Sequence, residues 1–256
     1  MIRHPPLPPE PPDFDAEVRV PGLTWLEEKL APWLEKSPPK DQPEQKHPKF
    51  PDYWTSQQCK DALFTHFQDR CAYSCVRDYS PQVDHYLSKE NHPNLAYEWT
   101  NLRPIASWLN STKGTKDVAV LDPYEVGEDW FRLLLPSMQL VIDVVPSEVR
   151  SRAAYTLKEL HLDEGQRVLR HRMTYYKEFR KDGTKSFPDL QREAPLIAQA
   201  VARALQALPV HSLPPASQAR YQQLLAGEVT LKGLRSSDPD LAAQVEALLP
   251  LGSAPY

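Results

Sequence analysis

In the stretch VDHYLSKENHPNLAYEWTNLRPIASWLNSTKG, residues 83–114, an acid and a base stand side by side as Asp84 and His85. Two amides and a cation follow at Asn101, Asn110 and Lys113. Hydrolysis of a phosphodiester near neutral pH needs a base that activates water and a cation that stabilises charge on the phosphate and the leaving oxygen. Imidazole, with its ordinary pKa of about 6.5, is the natural base. Carboxylate and amide oxygens are the hard ligands that Mg2+ or Mn2+ takes alongside water. An Asp-His dipeptide also occurs in ordinary polar loops, and residue types alone leave both readings open.

Geometry then constrains the elements around these residues. Neighbours on a strand point to opposite faces, so Asp84 and His85 converge on one ion only if the strand ends there and the chain bends. The polar run SKENHP with Pro93 is consistent with such an ending. Upstream, TSQQCKDALFTHFQDR reads as a helix capped by Thr55 or Ser56, with Cys59, Leu63 and Phe67 on its apolar face. CAYSCVRDYSPQVDHYLS alternates enough for a hairpin or two short strands, with Ser80-Pro81 near the turn. NLRPIASWLNSTKGTKDVAVLDP reads as loop, short helix and loop, and DWFRLLLPSMQLVIDVV as a hairpin broken at Pro136-Ser137.

Proline is the compositional anomaly, with 27 residues against 8 glycines, and thirteen of the prolines fall within residues 1–51. That first fifth should not be mainly helix or sheet. HPPLPPEPPDFD is expected as an extended, polyproline-like arm, followed by a short helix over LTWLEEKLAPWLEK. There Leu23, Leu26, Leu30 and Leu34 form the stripe, weakened by Pro32, before an irregular linker, SPPKDQPEQKHPKFPD. From Pro146 onward the pattern is helical. PSEVRSRAAYTLKELHL and DEGQRVLRHRMTYYKEFRK come first, the latter capped by Asp163. PDLQREAPLIAQAVARALQALP reads as a single helix, followed by PASQARYQQLLAG and DPDLAAQVEALL. The division expected is an arm and linker over 1–52, a core over 53–145 and a helical region over 146–256.

No apolar run approaches the ~20 residues of a membrane span. Three cysteines, Cys59, Cys71 and Cys75, are too few for a disulfide framework and fit a reducing cytoplasm. The net charge of −4 argues against coating nucleic acid by charge alone, though not against a local basic face. The candidate face is Arg167, Arg170, Arg172, Lys177, Arg180, Lys181 and Lys185, interleaved with Tyr175 and Tyr176. A solvated helix face would look the same.

The motif stretch resembles the HNH (ββα-metal) nucleases, built from two strands, a loop and a helix around one divalent ion. The resemblance extends over YWTSQQCKDALFTHFQDRCAYS and VDHYLSKENHPNLAYEWTNLRP, roughly Pro51 to Lys181, to the PtuB-type HNH proteins of Septu and retron anti-phage systems. It implies an α+β fold with a ββα-metal core near residues 70–115. Asp84 and Asn110 would bind Mg2+ or Mn2+, His85 would be the general base, Asn101 would brace the loop, and Lys113 would face a phosphate. It further implies a DNA endonuclease working as the effector of a defence complex with an ABC- or AAA-like ATPase. A non-catalytic assembly subunit and an RNA- or tRNA-cleaving nuclease are the competing readings. One departure stands out. Many relatives hold a structural zinc between two Cys-x-x-Cys pairs, whereas here CAYSC places Ser74 at the second position, and Ala106 and Leu109 replace the other pair. Tetrahedral zinc needs four N or S ligands, so no structural zinc is expected.

Overall fold

The computed structural model describes residues 1–36, 48–117 and 119–252. The linker expected after Lys36 lies largely outside the described residues. Helices and two small antiparallel sheets make this an α+β protein. The chain divides into two compact units, one of Pro5–Asp69 with Tyr79–Val118, the other of Met1–His4, Arg70–Asp78 and Ala119–Tyr256. Among the described residues no helix is long and apolar enough to cross a membrane.

In the first unit the proline-rich arm lies along its own core: Trp99 Nε1 donates to the Pro8 carbonyl at 2.8 Å, and Arg19 joins Glu10, Asp15 and Glu98. The helix that follows starts earlier than the leucine spacing predicts. Residues 15–36 form one helical run in which π-turns at Asp15–Arg19 and Leu26–Leu30 alternate with α1 (Val20–Trp25) and α2 (Ala31–Lys36). The prolines explain the alternation. Val20 N–H reaches back to the Asp15 carbonyl and Ala31 N–H to that of Leu26, each just before a proline. Widening that turn relieves the clash of the ring with the preceding turn, so the helix continues through Pro21 and Pro32. The wider turns also shift the buried face. Phe14, Val18, Gly22 and Leu30 are buried, whereas Leu23 and Leu34 of the expected stripe are exposed.

Helix α3 (Gln57–Phe67) begins at Ser56, whose side chain accepts from Cys59 N–H, and buries Cys59, Leu63 and Phe67 as its periodicity predicts. Strand β1 (Gln82–His85) does not pair with the stretch before it. Its partner is β2 (Leu102–Ile105), antiparallel, with Asp84 opposite Arg103 and His85 opposite Leu102. Pro104 hid β2 in the sequence, because proline breaks a ladder it must donate to. Tyr86 N–H donates to the Asn101 carbonyl, and alternation from that bond puts Val83–Pro104 at a non-hydrogen-bonded pair, where no donor is needed. Helix α4 (Ser107–Lys113) then packs against β1. The core beneath is Phe14, Val18, Leu30, Trp54, Leu63, Tyr97, Trp99 and Leu102 with their neighbours.

In the second unit the hairpin expected around Pro136 is present as β3 (Phe131–Leu133) and β4 (Leu140–Ile142). Helices α5 (Arg150–Glu159) and α6 (Gln166–Lys177) follow, the latter capped at Gly165 rather than at Asp163. The single helix expected over Pro188–Pro209 is two, α7 (Phe187–Glu193) and α8 (Pro195–Leu205). Ala194 precedes a proline and is driven out of the helical region, which breaks the run. Helices α9 (Pro215–Ala226), α10 (Leu231–Ser237) and α11 (Pro239–Leu248) complete the chain, α10 having no expectation in the sequence.

Candidate active site

The end of β1 carries the acid and base, and α4 carries the amide and cation three residues apart on one helix face. Asp84 and His85 leave the strand on opposite sides, yet both line one cavity of about 330 Å³ together with Trp54, Asn110 and Gly114. Gly114 closes α4 at φ +50° and ψ −127°, a conformation that suits glycine alone.

Lys113 is fully buried. Its ammonium donates to the His85 carbonyl at 2.7 Å and lies 3.2 Å from Asp84 Oδ2. It therefore neutralises the carboxylate from within rather than facing solvent. Apart from that ion pair, no well-directed hydrogen bond reaches Asp84 Oδ2 among the described residues. Burial pushes the Asp84 carboxyl up to about 6, with Lys113 pulling the other way. Carboxylate and amide oxygens are the ligands a hard cation takes, and Asn110 lines the same cavity as Asp84. Asn110 donates through Nδ2 to Gln82 Oε1 at 3.1 Å, which does not use the carbonyl oxygen that a cation would take. Among the described residues no three His, Cys, Asp or Glu side chains converge on a metal position.

His85 Nε2 lies 2.8 Å from the Ala96 carbonyl, and the ring stands edge-on to Trp54 with centroids 4.4 Å apart. A carbonyl only accepts, so Nε2 carries the proton and Nδ1 is the basic nitrogen. Burial holds the imidazole down at about 4, against the Ala96 hydrogen bond, so the neutral form prevails at neutral pH. Asn101 ties the loop between the strands. Its Oδ1 accepts from Leu87 N–H at 2.8 Å, and its Nδ2 donates to the carbonyls of Leu87 and Leu95 at 2.9 and 3.1 Å. Asp117, which drew no attention in the sequence, accepts from Ser88 N–H and from Asn91 Nδ2, both at 2.6 Å. Nothing local signals it; only the fold brings residue 117 back to residue 88.

The expected basic face in the second unit is thinner than its composition. Arg172 is fully buried and donates to the Met138 and Leu162 carbonyls. Arg180 pairs with Glu246 at 2.8 Å, and Lys185 with Glu193 at 2.5 Å. Arg167, Arg170, Lys177 and Lys181 are exposed, while Tyr175 and Tyr176 are buried. Cys71 and Cys75 are buried in this unit, and Cys59 belongs to the other.

No protein-family profile matches the chain, and no solved structure matches it. Over 68 residues the sequence is 35% identical to "Septu protein PtuB" of Bacillus thuringiensis, a stretch covering 25% of this chain and 26% of that protein. The chain thus matches about a quarter of that relative's length, and it is similar, in that part, to a Septu protein.

Proposed function

We propose that the unit holding Asp84 and His85 is a ββα-metal nuclease module that hydrolyses phosphodiester bonds of DNA with Mg2+ or Mn2+. We further propose that it is the nuclease effector of a bacterial anti-phage complex with an ATPase partner. The observation that carries the chemistry is the pairing, at one cavity, of a neutral buried imidazole with a buried carboxylate. The part-length likeness to a Septu protein supports the defence role. Asp84 and Asn110 would hold the ion, which supplies charge stabilisation at the phosphate when bound. His85 Nδ1 takes the proton of the attacking water, and the Ala96 carbonyl keeps the proton already on Nε2 in place. A phosphodiester in the cavity brings negative charge beside the imidazole and raises its basicity. Asn101 holds the loop that carries Ala96, and Lys113 holds Asp84.

One observation favours the non-catalytic reading: Asp84 already has the Lys113 ammonium beside it. Nicking of supercoiled plasmid decides between the two. Cleavage by the full chain should need Mg2+ or Mn2+ and should survive a zinc-selective chelator. Asp84→Asn, nearly isosteric, should raise the half-saturating Mg2+ concentration by about tenfold or more. A chain inert with either ion, alone or with its ATPase partner, would leave the assembly role as the function.

A further inference from the structure

With Lys113 buried, the cavity needs another cation to meet a phosphate. Among the described residues that line it, Lys89 is the one lysine or arginine. Its position is fixed from both sides. Asn101 holds Leu87 by N–H and carbonyl, Asp117 holds Ser88 N–H and Asn91, and the Ser88 carbonyl accepts from His92 N–H at 2.8 Å. Lys89 thus sits on a braced loop rather than a free tip. Its ammonium lies over the Trp54 ring, 5.4 Å from the centroid, and 3.2 Å from Glu90 Oε1. Trp54 is the same ring that stands against His85. The Lys89 side chain is 28% exposed and that of Glu90 51%, so the pair lies at the rim where solvent weakens it. Glu90 also lines the cavity. Its carboxylate is a poor neighbour for a polyanion but an easily exchanged partner for a lysine.

We infer that Lys89 is the phosphate-binding residue of this site and that Glu90 occupies it until a nucleic-acid phosphate takes its place. The inference rests on the nuclease reading above and names the contact that reading lacks. One salt bridge exchanges for another: Lys89 leaves the Glu90 carboxylate for a phosphate oxygen, while Trp54 keeps the ammonium directed into the cavity.

The test is binding of a short fluorescent DNA duplex by the full chain in chelator, across a salt series. Lys89→Ala should weaken binding by about tenfold, the usual scale of one charge-assisted contact. It should also lower the slope of log affinity against log salt by about 0.9, the value for one phosphate contact on duplex DNA. Lys89→Arg should restore both. Glu90→Gln should tighten binding in the parent and do so by less in the Lys89→Ala background, where only the carboxylate's repulsion of the phosphate is removed. An unchanged salt slope in Lys89→Ala, with a parent that cuts and binds, overturns the inference and spares the nuclease reading. A rise in Mg2+ requirement without any gain in binding, on Glu90→Gln, would make Glu90 a metal ligand and likewise overturn it. A parent that neither binds nor cuts overturns both.

Discussion

Asp84 and His85 are neighbours whose environments act on them in opposite directions. Burial drives the acid up to about 6 and the imidazole down to about 4, so both move toward neutrality. The residue types were legible in the sequence, and the family resemblance gave Asn101 as the expected brace of the loop, where its amide meets Leu87 and Leu95. The inward turn of Lys113 was not, because nothing in SWLNSTKG tells whether a lysine at a helix end reaches solvent or a carboxylate. Lys89 and Asp117 were likewise illegible, since their roles exist only once the loop is folded back. Asn101 gives the residue-scale prediction. Its amide is the partner of three backbone groups on a part-buried loop, and removing it leaves them competing for water. Asn101→Ala should lower stability by about 1–3 kcal/mol in urea unfolding, with nuclease activity falling alongside. An unchanged midpoint would show that the loop is held by other means.

At the scale of elements, the sequence was informative wherever one period governed a segment. Helix α3 appeared with its cap and apolar face because nothing interrupts its 3.6-residue repeat. Three of the failures share one cause, proline. In residues 15–36 two prolines are absorbed by π-turns, which widen the turn and leave Leu23 and Leu34 of the expected stripe exposed while Leu30 stays buried. At Pro104 a ring conceals a strand, and at Pro195 it divides a helix. The helix of residues 15–36 also depends on a missing side chain. A Cβ on Gly22 would lie 2.1 Å from Cγ of Tyr97, whose hydroxyl is tied to the Pro51 carbonyl at 3.2 Å. Gly22→Ala gains about 1 kcal/mol of helix propensity, while overpacking costs about 1–3 kcal/mol. Since the ring is buried and tethered, the clash should win and thermal unfolding should occur at lower temperature. A more stable Gly22→Ala would mean that helix and ring separate without penalty.

For the molecule as a whole, charge is the limiting quantity for a nucleic-acid enzyme. The net charge is −4, and with Arg172 buried and Arg180 and Lys185 paired to glutamates, the expected basic face keeps Arg167, Arg170, Lys177 and Lys181 exposed. Under the effector role proposed above, a partner would present the substrate. The arm of residues 5–14 is laid along the unit that holds the candidate site, so a partner gripping it would act on that unit directly. Composition pointed to the weak charge; which cations are spent internally required the fold. The most direct measurement is the rate of plasmid DNA cleavage at saturating Mg2+ by the full chain and by His85→Ala. If His85 is the general base, the variant should be slower by about 10²–10⁴, with its half-saturating Mg2+ concentration unchanged. A His85→Ala chain cutting as fast as the parent, in a preparation free of contaminating nuclease, would contradict the assignment of this site as a nuclease centre.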